Sequence, residues 1–150
     1  MNSNTQQHNM TAWSHLPNAK LIDQVLADMD THHQQFCLAM QATCDVAQSE
    51  ARRDARDVAR EQARQADRTE AWDASGDRAW CAPWDSAWYT AMCAMRALIA
   101  YDDADQYLDM TSDQLRMWAL LTESPAAVLL QPYVGARELI SQLHSQEVTA

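Results

Sequence analysis

Glycine is scarce in this sequence, with two residues in 150, and proline is little commoner with four. Sandwiches, barrels and glycine-loop nucleotide folds need far more turn chemistry than that, so β and α/β architectures are excluded and a helical protein remains. Large aliphatics are also thin. Leu, Ile, Val and Phe together make 23 residues, about 15% of the chain, and with a formal charge of −10 this pulls away from a globular composition. Alanine, with 26 residues, restores the balance, so the hydrophobic share of 47% suffices for one domain with Ala-rich seams and no disulfide or metal support. Four cysteines (Cys37, Cys44, Cys81, Cys93) do not make a disulfide scaffold. The polar stretch from Met1 to Leu16 lacks the basic start and apolar run of an export signal. The longest strongly apolar stretch, Ala91 to Ala100, carries Arg96 and is half a membrane span. These absences predict a cytoplasmic, thiol-reduced protein. The acidic balance disfavours direct binding to a phosphate backbone.

What is present is organised by period. Residues 1–16 read as a flexible N-terminus and 17–150 as a single helical domain. Pro17 and Asn18 give a helix start, after which neither Gly nor Pro occurs until Gly76. Ile22, Leu26, Met29, His33, Phe36, Met40, Thr43 and Ala47 alternate by four and three, a heptad seam that demands a facing helix. Thr31 and Gln34 have capping-box spacing, but the seam crosses them in register, which predicts one continuous helix over 18–75. An exposed seam of this kind would also take a second copy, as a homodimer.

From Ala51 the chain reads in tetrads. Ala51-Arg52-Arg53-Asp54, Ala55-Arg56-Asp57-Val58 and Ala59-Arg60-Glu61-Gln62 lead to Ala71-Trp72-Asp73-Ala74, and after Gly76 the register resumes as Ala79-Trp80-Cys81-Ala82, Pro83-Trp84-Asp85-Ser86 and Ala87-Trp88-Tyr89-Thr90. Four residues advance a helix by about 400°, so the Ala row drifts by roughly 40° per tetrad and no single straight helix can bury all of it. The chain must therefore break or supercoil. Gly76 and Pro83 are the expected breaks, with a second helix over 79–108 and short helices over 111–145. In the last third, Thr111-Ser112-Asp113-Gln114 is a capping box opening an amphipathic helix with Leu115, Trp118, Leu120 and Leu121. Ser124-Pro125 opens another helix, which Pro132 and Gly135 are expected to interrupt. The predicted fold is all-α: a long antiparallel helical pair with a small C-terminal helical cap.

The tetrads, followed by Ala97-Leu98-Ile99-Ala100-Tyr101-Asp102-Asp103 and by Ser124-Pro125 through Gln131-Pro132, resemble a loose group of uncharacterised tailed-bacteriophage proteins with Ala-Trp-Asp-Ala and Ala-Arg-Asp-Ala tracts. The resemblance covers Ala51 to Pro132, and this chain departs from it at Gly76, at Pro83 and in its Arg-rich first tetrads. It implies a phage accessory product in a bacterial cytoplasm and carries no reaction with it.

Three groups of residues are candidate sites. His33, Cys37 and Cys44 share a helix face and suit zinc, but no C-x-x-C accompanies them, and buried thiols packed as small hydrophobes are the simpler reading. Asp102, Asp103, Asp105, Asp109 and Asp113 crowd five carboxylates into twelve residues. They lack the Gly and distal Glu of a calcium loop, so the choice lies between a solvated turn and imitation of a nucleic-acid phosphate track. Trp80, Trp84 and Trp88 are either core or a partner-binding platform. If the chain reverses at Gly76, Arg68 faces Trp84 and Arg64 faces Trp88, and guanidinium-on-indole stacking follows. The Arg tetrads are not a nucleic-acid stripe, because the six Arg between Asp45 and Arg68 are matched by six carboxylates, with pairs such as Glu61 with Arg64. No Ser-His-Asp, Cys-His, phosphate-loop or H-E-x-x-H pattern occurs. The sequence therefore predicts a non-enzymatic interaction protein without a cofactor, a phage accessory or host-directed regulatory or inhibitory factor with another protein as its partner. A metal- or thiol-binding protein using His33, Cys37 and Cys44, and an acidic inhibitor using Asp102 to Asp113, are the alternatives.

Overall fold

The computed structural model describes residues 11–43, 48–80, 86–122 and 124–149. Among them there is no strand. The described residues form seven α-helices, α1 (Ala19–Thr31), α2 (His33–Thr43), α3 (Ser49–Gln65), α4 (Thr69–Trp80), α5 (Ser86–Ala100), α6 (Ser112–Thr122) and α7 (Pro125–Thr149), with a 3-10 helix over Ala104–Asp109 between α5 and α6. The all-helical expectation from glycine and proline scarcity holds.

The arrangement is a bundle around α5 rather than one long pair. Ten of the fifteen residues of α5 are buried, from Ala87 through Cys93, Met95 and Leu98 to Ala100. A helix apolar on every side must be surrounded, and α1, α2, α3, α4 and α7 all pack against it. The 25-residue α7, expected as part of a small cap, is the longest helix and touches α2, α3, α5 and α6.

The described residues of the expected helix over 18–75 fall in four helices, and the passage from α2 to α3 crosses 44–47, which lie outside the described residues. The first division is one residue wide. His32 leaves helical geometry, yet its N–H still bonds Asp28 O at 2.9 Å and its carbonyl accepts from Phe36 N at 2.9 Å. The seam therefore keeps its register across the kink, with Ile22, Met29, Phe36 and Met40 all buried. Its facing helices are α5 and α7 of the same chain, so it offers no free seam to a second copy.

The division between α3 and α4 corrects the expected reversal at Gly76. The drifting Ala row is buried at Ala55, Ala59 and Ala63, and α3 then ends. The turn is made at Asp67, which adopts a positive φ of 60° while Arg68 N bonds Ala63 O at 2.7 Å. Asp tolerates this left-handed region where β-branched residues do not. Asp67→Val should cost about 1–2 kcal/mol in urea unfolding, whereas Asp67→Gly, free of the Cβ penalty, should leave the midpoint near wild type. Equal midpoints for the two variants would show that the turn does not depend on that conformation.

Gly76 lies inside α4 with no positive φ. A Cβ there would stand 2.8 Å from Nη2 of Arg96, so the glycine serves the close approach of that side chain. The second helix expected over 79–108 is likewise divided: α4 runs to Trp80, α5 ends at Ala100, and 104–109 is 3-10. Nor do Pro132 and Gly135 interrupt α7, in which both are buried. Proline in a helix interior costs about 3 kcal/mol, and burial of α7 against four helices offsets it.

Residues 11–16, expected to be flexible, are packed. Trp13 and Leu16 are buried, and Trp13 Nε1 donates to Asp23 Oδ1 at 2.9 Å. Asn18 begins α1 as expected, but its side chain does not cap that helix. It is buried and donates through Nδ2 to the carbonyls of Leu98 and Tyr101, both at 3.0 Å, satisfying the C-terminal end of α5. Across the bundle, Tyr133 of α7 stacks on Phe36 of α2 with ring centroids 5.8 Å apart and donates to Asp28 Oδ2 of α1 at 2.5 Å. Burial and that carboxylate together push the Tyr133 hydroxyl's pKa well up.

Candidate functional site

Arg64 and Arg68 both bond to groups other than the expected indoles. Arg64 is exposed and pairs with Glu61 through Nε at 2.9 Å and Nη2 at 2.5 Å, the intrahelical pairing read from the sequence. This bond, with a further one from Gln65, lowers the Glu61 carboxyl to about 2. Arg68 donates from Nη1 to Ile99 O at 2.9 Å and Asp102 Oδ1 at 2.6 Å, fastening the α3–α4 turn to the end of α5. Among the described residues, a guanidinium that lies over an indole is that of Arg96, whose Cζ is 4.6 Å from the ring centroid of buried Trp72. Its Nε donates to Ser75 Oγ at 3.2 Å, and burial lowers its pKa. Arg–Trp stacking is thus a device of the α4–α5 contact, and the residue that interrupts the apolar stretch of α5 supplies it. Trp88 is half-buried with its ring centroid 5.8 Å from that of His33. Trp84 and the side chain of Trp80 lie outside the described residues.

His33 and Cys37 are both half-buried on α2, and Cys37 packs against the core. Cys44 and Cys81 lie outside the described residues, and among the described ones no group of three His, Cys, Asp or Glu is placed to hold a metal ion. Cys93 is fully enclosed in α5, where burial raises its thiol pKa and keeps it protonated.

Asp102, Asp103, Asp105, Asp109 and Asp113 are all exposed along the turn, the 3-10 helix and the first turn of α6. Asp102 is drawn to Arg68, and Asp113 lies at a helix N-terminus, where negative charge is favourable. The capping box forms reciprocally, Gln114 N donating to Thr111 Oγ1 at 3.1 Å and Thr111 N to Gln114 Oε1 at 3.0 Å. A clasp holds this segment to α7: Ser112 N donates to Glu138 Oε2 at 2.9 Å, and Arg137 donates to Leu108 O.

The most conspicuous apolar surface among the described residues is on α6, the amphipathic helix expected to carry Leu115, Trp118, Leu120 and Leu121. Leu115 is buried, but Leu120 is 71% exposed, Met117 59% and Trp118 40%. Leu120 and Leu121 are neighbours, about 100° apart on a helix, so one stripe cannot bury both with Leu115, and that adjacency is the signal available in the sequence. Beside this face runs a groove of about 430 Å³, with α3 and α6 as walls and α7 as floor. Val58, itself 54% exposed, Ala119, Leu120 and Val128 make most of its surface apolar, and Asp54 and Arg116 stand on opposite walls. A second hollow of about 300 Å³ extends the groove, sharing Gln48, Arg116 and Gln131 with it.

Compared with family models, curated proteins and solved structures, the chain matches none of them. No helix among the described residues is long and apolar enough to cross a membrane.

Proposed function

We propose that this is a non-enzymatic protein-interaction module and that its docking surface is the outer face of α6 with the adjoining α3–α6–α7 groove. What supports the reading is the pair Met117 and Leu120, about 60° apart on one helix and both exposed, with Leu120 lining the apolar groove. Contiguous exposed apolar surface of this kind marks interaction sites, and a hydrophobic groove is the receptor half of helix-in-groove recognition. The resemblance of the tetrad tract to phage proteins adds the setting: an accessory factor acting in a bacterial cytoplasm by holding proteins together or apart.

The test is capture from a bacterial extract with the wild-type protein and Leu120→Asp, a change at an exposed position that leaves the helical circular-dichroism signal in place. A protein retained in stoichiometric amount by the wild type and lost with Leu120→Asp supports the reading. Retention unaffected by Leu120→Asp, and abolished instead when Asp103, Asp105 and Asp109 are replaced by Asn, overturns it in favour of the acidic segment.

A further inference from the structure

We infer that the groove between α3 and α6 is filled by α6 of a second copy of this chain, in a two-fold dimer. The inference rests on the reading of that face as a docking surface and names its partner. Two observations select a second copy.

The first is charge. Asp54 on the α3 wall and Arg116 on the α6 wall are exposed, opposite in sign and set in an otherwise mostly apolar groove. Among the described residues neither side chain has an ion-pair or hydrogen-bond partner. A foreign helix would need its own matching pair of charges. A two-fold copy supplies it automatically, because in an isologous interface Asp54 meets the partner subunit's Arg116 while Arg116 meets the partner subunit's Asp54. The second is shape. Leu120 lines the groove and Met117, one turn earlier, projects from the same helix, so α6 carries both the projecting apolar row and one wall of the slot that receives such a row. Knob and slot on one helix are what a two-fold axis beside that helix requires. This contact differs from the heptad seam of α1 and α2, which is consumed within the chain.

Sedimentation equilibrium of the purified protein up to about 0.1 mM detects a dimer of micromolar affinity, and two charge reversals test its geometry. Asp54→Arg places two cations in each contact and Arg116→Asp two anions, so each variant alone should dimerise at least about tenfold more weakly than wild type. Mixed in equal amounts, the two variants should recover wild-type affinity as a heterodimer, because every Asp54→Arg position then meets an Arg116→Asp position of the other chain. A wild type that stays monomeric overturns the inference and leaves the docking surface to be judged by the capture experiment. A dimer indifferent to both reversals, or a mixture that stays monomeric, also overturns it.

Discussion

Asn18→Asp should destabilise the protein by about 3–5 kcal/mol, although Asn and Asp serve equally well at a helix N-cap. The buried Nδ2 of Asn18 is the donor for two carbonyls, those of Leu98 and Tyr101, each at 3.0 Å. The substitution keeps the shape, removes both donors and sets a carboxylate against two acceptor oxygens in a buried site. Urea unfolding at neutral pH measures the loss. It should shrink in acid, because the buried carboxyl's pKa is raised, and once protonated it can donate one bond again. A stability equal to wild type would mean that Asn18 acts only as the local start of α1 and that the α5 carbonyls are satisfied some other way.

The second large effect is expected at Ala59→Leu, which should cost about 3 kcal/mol. Ala59 is fully buried at the middle of the Ala55, Ala59, Ala63 row, on the helix that packs against both α5 and α7. Three added heavy atoms must push α3 off its neighbours or distort them, since interiors are packed to crystal-like density. Gln62→Leu, exposed on the same helix, should change stability by no more than about 0.5 kcal/mol. If calorimetric melting shows the two variants to be alike, the Ala row does not set the spacing between these helices.

That row also shows where local reading stops. Its burial follows from the four-residue period, and so does the need for the helix to end once the row has drifted out of the contact. Where it ends does not follow. Gly76 is the better turn residue by propensity, but it lies within α4, where Arg96 folds over Trp72 and takes the space a side chain at Gly76 would occupy, and the turn is made at Asp67 instead. The same limit governs α6. Its capping box was legible because both partners lie within four residues, whereas the exposure of Met117 and Leu120 depends on which neighbours α3 and α7 bring to that side.

The helical class, the heptad register from Ile22 to Met40, the starts of α6 and α7, and the Glu61–Arg64 pair follow from residue order alone. Each of these rests on hydrogen bonds or side-chain periods that repeat within one turn of helix, so neighbours in sequence suffice to specify them. The kink at His32, the turn at Asp67, the passage of α7 through Pro132, the use of Asn18 to close α5, and the open groove beside α6 emerge with the packing of the helices. These are settled by contacts between residues tens of positions apart: the 80 and 83 positions between Asn18 and its two carbonyls, or the burial of α7 that offsets its proline. In such cases the free energy of packing exceeds the roughly 1–3 kcal/mol that local preference commands at a turn, a cap or a proline.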